Sequence, residues 1–196
     1  MIRAKHLILS VFALFSSPVL AQSCSPEALG LSSRDYSRLY SIENSRLKGL
    51  GEAMLSPSLA ERDILAKLFS QGIGDPKVVP TGDYQCRTIK LGGLGPLTSY
   101  KYFDCRISND GEQLFIEKLT GSQRFTGTLF YTEDGVSYRG ASHYGYEEPR
   151  EYVGDTDRDQ VGCVFEVLGD PTSLILELPQ PHFESTHDII QLRLKR

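Results

Sequence analysis

The chain has 196 residues, of which 40% are hydrophobic and 23% are charged, and its formal net charge is −4. This length fits one domain with a small extra element, and the composition excludes a globally disordered chain. A mildly acidic chain lacks the basic surface that non-specific nucleic-acid binding requires, so we expect no nucleic-acid partner.

The first 21 residues have the three parts of a cleavable secretory signal peptide. Arg3 and Lys5 form the positive start, Leu7–Phe15 is a short apolar run, and small residues precede a cleavage site after Ala21. The apolar run is too short to cross about 30 Å of hydrocarbon, and no later run is long enough. We therefore predict a periplasmic or secreted protein without a transmembrane segment. Lipid modification of Cys24 is the alternative, but the residues before it lack the leucine and small residues of such a site.

Secretion places the four cysteines in an oxidising compartment, where disulfides are expected. Cys86 and Cys105 lie in two strand-like runs joined by a glycine-rich loop, so we predict that they pair. Closing this loop stabilises the fold by about 3 kcal/mol in the chain-entropy model. Cys24 and Cys163 form the second possible pair, which would attach the mature N-terminus to a late strand. A metal or redox site would need close pairs such as Cys-x-x-Cys, and the sequence has none.

Two helices are predicted before residue 80. Ser32 with Asp35, and Ser58 with Glu61, have the spacing of capping boxes, and Gly72 ends the second helix. A short turn between the helices predicts a helical hairpin within residues 22–79. The apolar stripes at three- and four-residue steps are Tyr36, Leu39, Tyr40, Leu47, Leu50 and Met54 in the first helix, and Ile64, Leu65, Leu68 and Phe69 in the second.

Residues 80–196 contain about eight strand-like runs, separated by turn sequences with no helix between them. This pattern predicts an α+β protein in which the helical hairpin is followed by an antiparallel meander, closed as a small lipocalin-like β-barrel. A barrel of eight strands is just wide enough for side chains or one small ligand. The predicted strands are Tyr84–Leu91, Ser99–Ile107, Gln113–Lys118, Arg124–Thr132, Val136–Ser142, Gln160–Leu168, Ser173–Leu178 and Asp188–Leu194.

Five sequence blocks resemble those of the bacterial domain of unknown function 4893 family. In chain order they are Gly82–Gly92, Tyr102–Ile107, Phe115–Arg124, Tyr152–Asp155 and Arg158–Gly162. The resemblance covers nearly the whole mature chain and includes the helical pair. It implies an exported bacterial protein, and the family's two early cysteines match Cys86 and Cys105. It implies no activity, substrate or catalytic residue.

The segment that begins at Asp155 has part of the pattern of a calcium loop. Carboxylates occupy positions 1, 3, 5 and 12 of such a loop, at Asp155, Asp157, Asp159 and Glu166. However, position 6 is Gln160 rather than glycine, and a strand rather than a helix is predicted to follow. We therefore predict a solvated acidic loop and no metal site.

The best candidates for a binding surface lie near predicted strand ends. Glu117 could act as a base and Arg124 as a clamp for an anion, since guanidinium binds carboxylate or phosphate bidentately. Because side chains alternate along a strand, Glu117 and Lys118 cannot both point into the barrel. Polar groups that only satisfy their own hairpin are the simpler alternative. Tyr138, His143, Tyr144 and Tyr146 form an aromatic cluster that could be a ligand patch or only a barrel rim. With this cluster and the acidic loop, the binding candidates are Glu117, Arg124, Tyr138, His143, Arg158 and Asp159.

No catalytic constellation is apparent in the sequence. The histidines accompany no Gly-x-Ser-x-Gly elbow or reactive-cysteine motif, and His182 and His187 lack the spacing of a zinc-protease helix. We therefore predict no catalytic residue, metal or cofactor. The leading hypothesis is a non-enzymatic periplasmic binding or interaction module, whose partner is a small molecule or an envelope protein. The alternatives are a periplasmic hydrolase that uses Glu117, Arg124 or Asp159, and a structural envelope protein.

Overall fold

The computed structural model describes residues 24–27, 29–154 and 156–196, and the predicted signal peptide lies outside them. Three helices come first: α1 (Ser33–Tyr40), α2 (Ile42–Ala53) and α3 (Leu59–Phe69). Ten strands follow. They are β1 (Ile73–Gly74), β2 (Gly82–Leu91), β3 (Leu97–Ser99), β4 (Phe103–Asn109), β5 (Leu114–Lys118), β6 (Gln123–Thr132), β7 (Gly135–Tyr144), β8 (Asp159–Val167), β9 (Asp170–Pro179) and β10 (His187–Leu194).

The two predicted helix starts are confirmed by their caps. The Ser32 hydroxyl accepts a hydrogen bond from the Asp35 N–H, and the Ser58 hydroxyl accepts one from the Glu61 N–H. Each cap satisfies one backbone donor that has no partner within the helix. The Glu61 carboxylate then accepts a hydrogen bond from the Ser99 N–H at 2.9 Å, which attaches α3 to β3.

The first predicted helix is wrong in one respect, because the chain forms two helices that meet at Ser41. The Ser41 hydroxyl lies 2.9 Å from the Ser37 carbonyl oxygen, a local bond that competes with a continuous helix. The break changes which face is buried, so four residues of the predicted stripe are exposed. They are Tyr36, Tyr40, Leu47 and Met54, whereas α2 buries Ile42, Ser45, Gly49 and Ala53.

Eight strands form a closed antiparallel barrel, as the sequence predicts. Each strand from β4 to β10 pairs with the strand before it, counting β2 before β4, and β10 pairs with β2 to close the ring. The short strand β1 adds to β8, and β3 adds to β2. The predicted strand Ser99–Ile107 begins too early, since β4 starts at Phe103.

Apolar side chains fill most of the barrel interior. Tyr138 is fully buried there, and its ring crosses the facing glycines Gly127 and Gly140 of β6 and β7. A Cβ atom at Gly140 would lie 2.4 Å from the Tyr138 hydroxyl, so only glycine leaves room for this ring. The interior cluster also contains Cys86, Cys105, Ile107, Ile116, Phe125, Leu129, Val136, Val164, Leu174, Leu176, Leu178, Ile190 and Leu192.

A second apolar cluster joins the helices to the outside of the barrel. It places Leu39, Ile42 and Leu65 against outward-facing residues of the sheet such as Phe165 and Ile189. None of the helices in the described ranges is long and apolar enough to cross a membrane.

Both disulfides are present. Cys86 and Cys105 link β2 to β4 with their Cα atoms 5.8 Å apart. Cys24 and Cys163 link the segment before α1 to β8, with a Cα separation of 5.9 Å. The second bond fastens the helical segment to the barrel at its N-terminal end. Two disulfides fit a protein of an oxidising compartment.

Candidate functional site

A polar cavity of about 400 Å³ occupies one end of the barrel. It lies where β2, β5, β7 and β9 end and where β6, β8 and β10 begin. Apolar residues such as Phe125, Leu178 and Ile190 form its deeper part. Charged side chains line the upper part, together with residues 181–184 of the loop between β9 and β10.

Lys118 is the central charged residue of this cavity. It is the last residue of β5 and is only 8% exposed, because strand alternation turns it to the same inner face as Leu114 and Ile116. Its ammonium group lies 4.3 Å from the centre of the Phe103 ring. Across the described part of the chain, it has no carboxylate or carbonyl partner. Burial, with the nearby charges of Arg124 and Lys90, lowers the pKa of Lys118 to about 8.

Two guanidinium groups accompany Lys118. The Arg124 Nε donates a hydrogen bond to the Gly121 carbonyl oxygen at 3.1 Å, which holds the side chain near the loop between β5 and β6. The Arg158 guanidinium stacks on the Tyr144 ring, 4.4 Å from its centre. Neither group forms an ion pair among the described residues. Both leave donors that a planar anion could use.

The opposite wall of the cavity carries a lysine whose positive charge is paired with carboxylates. Lys90 on β2 and Asp188 on β10 are register partners, and the Lys90 ammonium lies 3.5 Å from the Asp188 carboxylate and 3.2 Å from the Glu184 carboxylate. Although burial disfavours the charged amine, these two carboxylates raise the pKa of Lys90. Lys90 is therefore a compensated charge, in contrast to Lys118.

His143 adds a buried polar group to the same cavity. The residue is 3% exposed, and its Nδ1 atom has no hydrogen-bond partner in the described ranges. Burial and the neighbouring Arg124 lower the pKa of His143, so the ring is neutral at pH 7. A neutral imidazole offers one donor and one acceptor, and leaving either unmade in a buried site is costly.

Helix α1 supports the rim through a network of buried polar groups. The Arg38 guanidinium donates to the Asp35 carboxylate at 2.7 Å and to the Asp159 carbonyl oxygen at 3.2 Å. The Asp159 carboxylate in turn accepts hydrogen bonds from the Val153 and Thr156 N–H groups. These bonds use the Asp159 carboxylate to hold its own loop, so its role at the rim is positional.

Four of the six binding candidates from the sequence line this cavity: Arg124, His143, Arg158 and Asp159. Tyr138 lies beneath it, with its hydroxyl 3.3 Å from the Gln160 Oε1 atom and 3.1 Å from the Thr126 carbonyl oxygen.

Glu117 is turned to the outer face of the barrel, where it is the register partner of Arg106 on β4. It therefore does not meet Arg124 inside the cavity. Sequence reasoning missed Lys118, although the alternation of Leu114, Ile116 and Lys118 was the signal that could have found it. It also missed Lys90, whose place in the cavity depends on the pairing of β2 with β10.

A serine, a histidine and a glutamate lie in line under α2, outside the barrel. The Ser45 hydroxyl is 3.1 Å from the His187 Nδ1 atom, and the His187 Nε2 atom is 3.5 Å from the Glu177 carboxylate. However, all three residues are buried, and the Ser45 hydroxyl already donates to the Thr186 carbonyl oxygen and accepts from the Gln180 N–H. The arrangement is a structural network beneath α2 rather than a nucleophile that a substrate could reach.

No group of three or more metal-ligating side chains occurs in the described ranges. Asp155, the first position of the calcium-loop pattern, lies outside the described residues. The Asp159 carboxylate, at position 5 of the same pattern, accepts hydrogen bonds from backbone N–H groups.

The family described as a domain of unknown function (DUF4893) matches residues 30–192. The chain belongs to the DUF4893 family. The resemblance predicted from the sequence blocks is thereby confirmed. No curated protein and no solved structure matches the chain.

The DUF4893 match includes all three helices and all the strands of the barrel up to Leu192. Every residue of the cavity lies inside it. Cys24 lies before the matched span, whereas Cys86, Cys105 and Cys163 lie within it. The match assigns no activity, so the chemistry of the cavity carries the functional argument.

Proposed function

We propose that this protein is a non-enzymatic binding module of the bacterial periplasm, which holds one small anionic ligand in the polar end of its barrel. The ligand class is an organic molecule with a carboxylate or a phosphate group. One observation carries the proposal: Lys118 is a buried lysine whose ammonium group lines a cavity without an anionic partner among the described residues.

The physical argument is one of compensation. A buried charge is expensive unless it is paired, and proteins normally pair it with an opposite charge or neutralise it. Lys90 follows this rule, with two carboxylates near its ammonium group. Lys118, Arg124 and Arg158 lie around the same cavity without such a partner. A bound anion would supply the missing charge to all three.

The size of the cavity suits this ligand class. Sites for small molecules usually have volumes of about 300–1,000 Å³ and combine an apolar lining with a few polar groups. The cavity has about 400 Å³, with apolar residues deeper in the barrel and cations above them. We propose a lipocalin-like use of the barrel, in which residues 80–196 form the binding domain. The helical segment within residues 22–79 braces it, with α2 and α3 as a helical hairpin.

Export is part of the proposal. The predicted leader, with its predicted cleavage site after Ala21, and the two disulfides both support a periplasmic or secreted location. The mass of the protein recovered from a periplasmic fraction tests it, because the mature chain would begin at Gln22. A chain that keeps its leader would contradict export by this route.

Calorimetric titration with pyruvate and with inorganic phosphate at pH 7 tests the anion site. We expect at least one of these anions to bind, and Lys118→Gln to weaken its binding by about tenfold or more, the effect of losing about 1.4 kcal/mol. Lys118→Arg keeps a charge and should retain binding. Lys67→Gln is the control, because Lys67 is an exposed lysine of α3 that pairs with Asp63.

Two results would contradict the anion site. In one, neither anion binds more strongly than chloride at the same ionic strength. In the other, Lys118→Gln binds as tightly as the unmodified protein while Lys67→Gln behaves normally. Far-ultraviolet circular dichroism of each variant shows whether the barrel is intact, so a folding defect is recognised separately.

A further inference from the structure

We propose that Lys118 is a covalent attachment site, whose side-chain amine forms an imine with the aldehyde or ketone carbon of an anionic ligand. This inference rests on the proposed anion site and names the ligand class more narrowly, as small oxo acids. It assigns Lys118 a chemical role that a merely electrostatic lysine would not have.

The geometry isolates one amine for this chemistry. Lys118 is 8% exposed, and its Nζ atom faces the Phe103 ring rather than a carboxylate. Lys90 lines the same cavity, but two carboxylates lie within 3.5 Å of its ammonium group and favour the charged form. An amine must lose its proton before it can attack a carbonyl carbon, so Lys118 rather than Lys90 is the nucleophile of this cavity.

The surroundings of Lys118 favour the neutral amine. Burial disfavours the charged form, and Arg124 and Lys90 repel a proton on the amine, so the pKa of Lys118 falls to about 8. In the free protein at pH 7, roughly a tenth of Lys118 is then unprotonated, against well under a thousandth of an ordinary exposed lysine. Desolvated lysines beside other cations are a known form of activated amine.

The reaction balances without a further reactant. The amine nitrogen attacks the carbonyl carbon and forms a C–N bond, while the C=O double bond opens and its oxygen takes up a proton that the nitrogen loses. The C–O bond then breaks with its electron pair, and the oxygen leaves as water after receiving a second proton, while the nitrogen loses its second proton and forms the C=N double bond. One primary amine and one carbonyl compound give one imine and one water, with no oxidation or reduction.

The guanidinium groups explain why the carbonyl compound should be an acid. Arg124 and Arg158 lie on β6 and just before β8, beside the cavity that contains Lys118. A carboxylate held by either guanidinium would be fixed by two parallel hydrogen bonds. In a 2-oxo acid such as glyoxylate or pyruvate the carbonyl carbon is bonded to the carboxylate carbon, so clamping the acid brings the reacting carbon towards the amine. Such positioning speeds a reaction between bound groups.

Reductive trapping tests the imine directly. The purified protein, with both disulfides formed, is incubated at pH 7 with glyoxylate or pyruvate and sodium cyanoborohydride, which reduces an imine to a stable secondary amine. Peptide mass spectrometry then reports the modification of every lysine. We expect Lys118 to be labelled about tenfold or more faster than the exposed lysines Lys48 and Lys67, since much more of it is unprotonated.

The variant Lys118→Arg separates this inference from the proposed function. It keeps the positive charge for anion binding but has no amine, so it should bind pyruvate and lose the trapped adduct at residue 118. Lys67→Arg is the control and should leave labelling of Lys118 unchanged. The intact mass of each product shows whether one adduct or several have formed.

Three outcomes would overturn the inference. If pyruvate binds in calorimetry but cyanoborohydride traps no adduct at Lys118 with either compound, the anion site stands and the imine does not. If Lys118 is labelled no faster than Lys48 and Lys67, it is not an activated amine. If pyruvate and phosphate fail to bind and no adduct forms, the proposed function fails together with the imine.

Discussion

Lys118 shows how a single side chain acquires its chemistry from its surroundings. On an exposed strand end it would be an ordinary lysine, with a pKa near 10.5. Inside the barrel it loses solvent, faces an aromatic ring and lies near other cations. The groups around it come from six elements or loops of the fold. They are Lys90 on β2, Arg124 on β6, His143 on β7, Arg158 and Asp159 at β8, Glu184 before β10, and Asp188 on β10.

Anion binding should therefore depend on pH. An anion favours the protonated form of Lys118, so its affinity is highest below the pKa of about 8 in the free protein and falls as the pH rises above that value. Binding should also take up protons, which titrations in buffers of different ionisation enthalpy measure. Lys118→Arg should bind with little change between pH 7 and about pH 9, since guanidinium keeps its proton. An equally steep decline in this variant would contradict the assignment to Lys118.

The packing around Gly140 leads to a prediction about the effect of a single residue on stability. A Cβ atom there would lie 2.1 Å from the Thr126 carbonyl oxygen and 2.4 Å from the Tyr138 hydroxyl. Gly140→Ala should therefore lower the free energy of unfolding by about 2–3 kcal/mol through overpacking. Gly51→Ala is the contrasting variant, since a Cβ atom there meets nothing within 4 Å and should stabilise α2 by roughly 0.5–1 kcal/mol. Urea denaturation measures both, and equal effects would contradict the packing argument.

At the scale of elements, α2 is attached to the barrel by charge as well as by apolar contact. The Arg46 guanidinium lies 2.7 Å from the Glu177 carboxylate on β9 and stacks over the Phe165 ring. Burial opposes ionisation of Glu177, but its contacts with His187 and Arg46 lower its pKa overall. The fully buried carboxylate of Glu177 therefore depends on its partners from α2 and β10.

Arg46→Met should lower the free energy of unfolding by about 3 kcal/mol at pH 7, because it leaves Glu177 with one partner fewer. A carboxyl with a lowered pKa stabilises the fold above its unfolded pKa and loses that contribution as the pH falls. In Arg46→Met the Glu177 carboxyl becomes protonated at a higher pH, and its protonation removes the cost of burying a poorly paired charge. The difference in the free energy of unfolding between Arg46→Met and the unmodified protein should therefore narrow below about pH 5. Urea denaturation at several pH values measures it, and a difference that is constant with pH would contradict this account.

The helices show which features a local sequence pattern could predict: their starting points, but not the face of α2 that is buried. The caps at Ser32 and Ser58 follow from short-range spacing, and both helix starts are confirmed. The buried face of α2 was missed because it contains Ser45 and Gly49, which do not register as apolar. A Cβ atom at Gly49 would lie 2.9 Å from the Cβ atom of His187, so glycine is required there by the approach of β10.

For the whole molecule, the disulfide between Cys24 and Cys163 closes the longer of the two disulfide loops, since the two residues are 139 positions apart. Cys24→Ala combined with Cys163→Ala should lower the free energy of unfolding by about 5 kcal/mol in the chain-entropy model. Urea denaturation under oxidising conditions measures the loss. The reduced form of the unmodified protein gives a comparison, because its loss of free energy of unfolding also includes the contribution of the Cys86–Cys105 bond. A loss below about 1 kcal/mol would show that the bond constrains the unfolded chain far less than this model requires.

The amino-acid sequence by itself determined the features that depend on neighbours along the chain. Turn sequences and strand-sized runs predicted the eight strands of the barrel. Cysteine placement predicted the Cys86–Cys105 disulfide and left Cys24–Cys163 as a possible second one. The proposed binding site required the tertiary structure. Lys90 and Asp188 are 98 residues apart in the chain, and they face each other only because β2 pairs with β10 to close the barrel. Whether a lysine is compensated or unpaired depends on such distant partners, and no local pattern in the sequence records them.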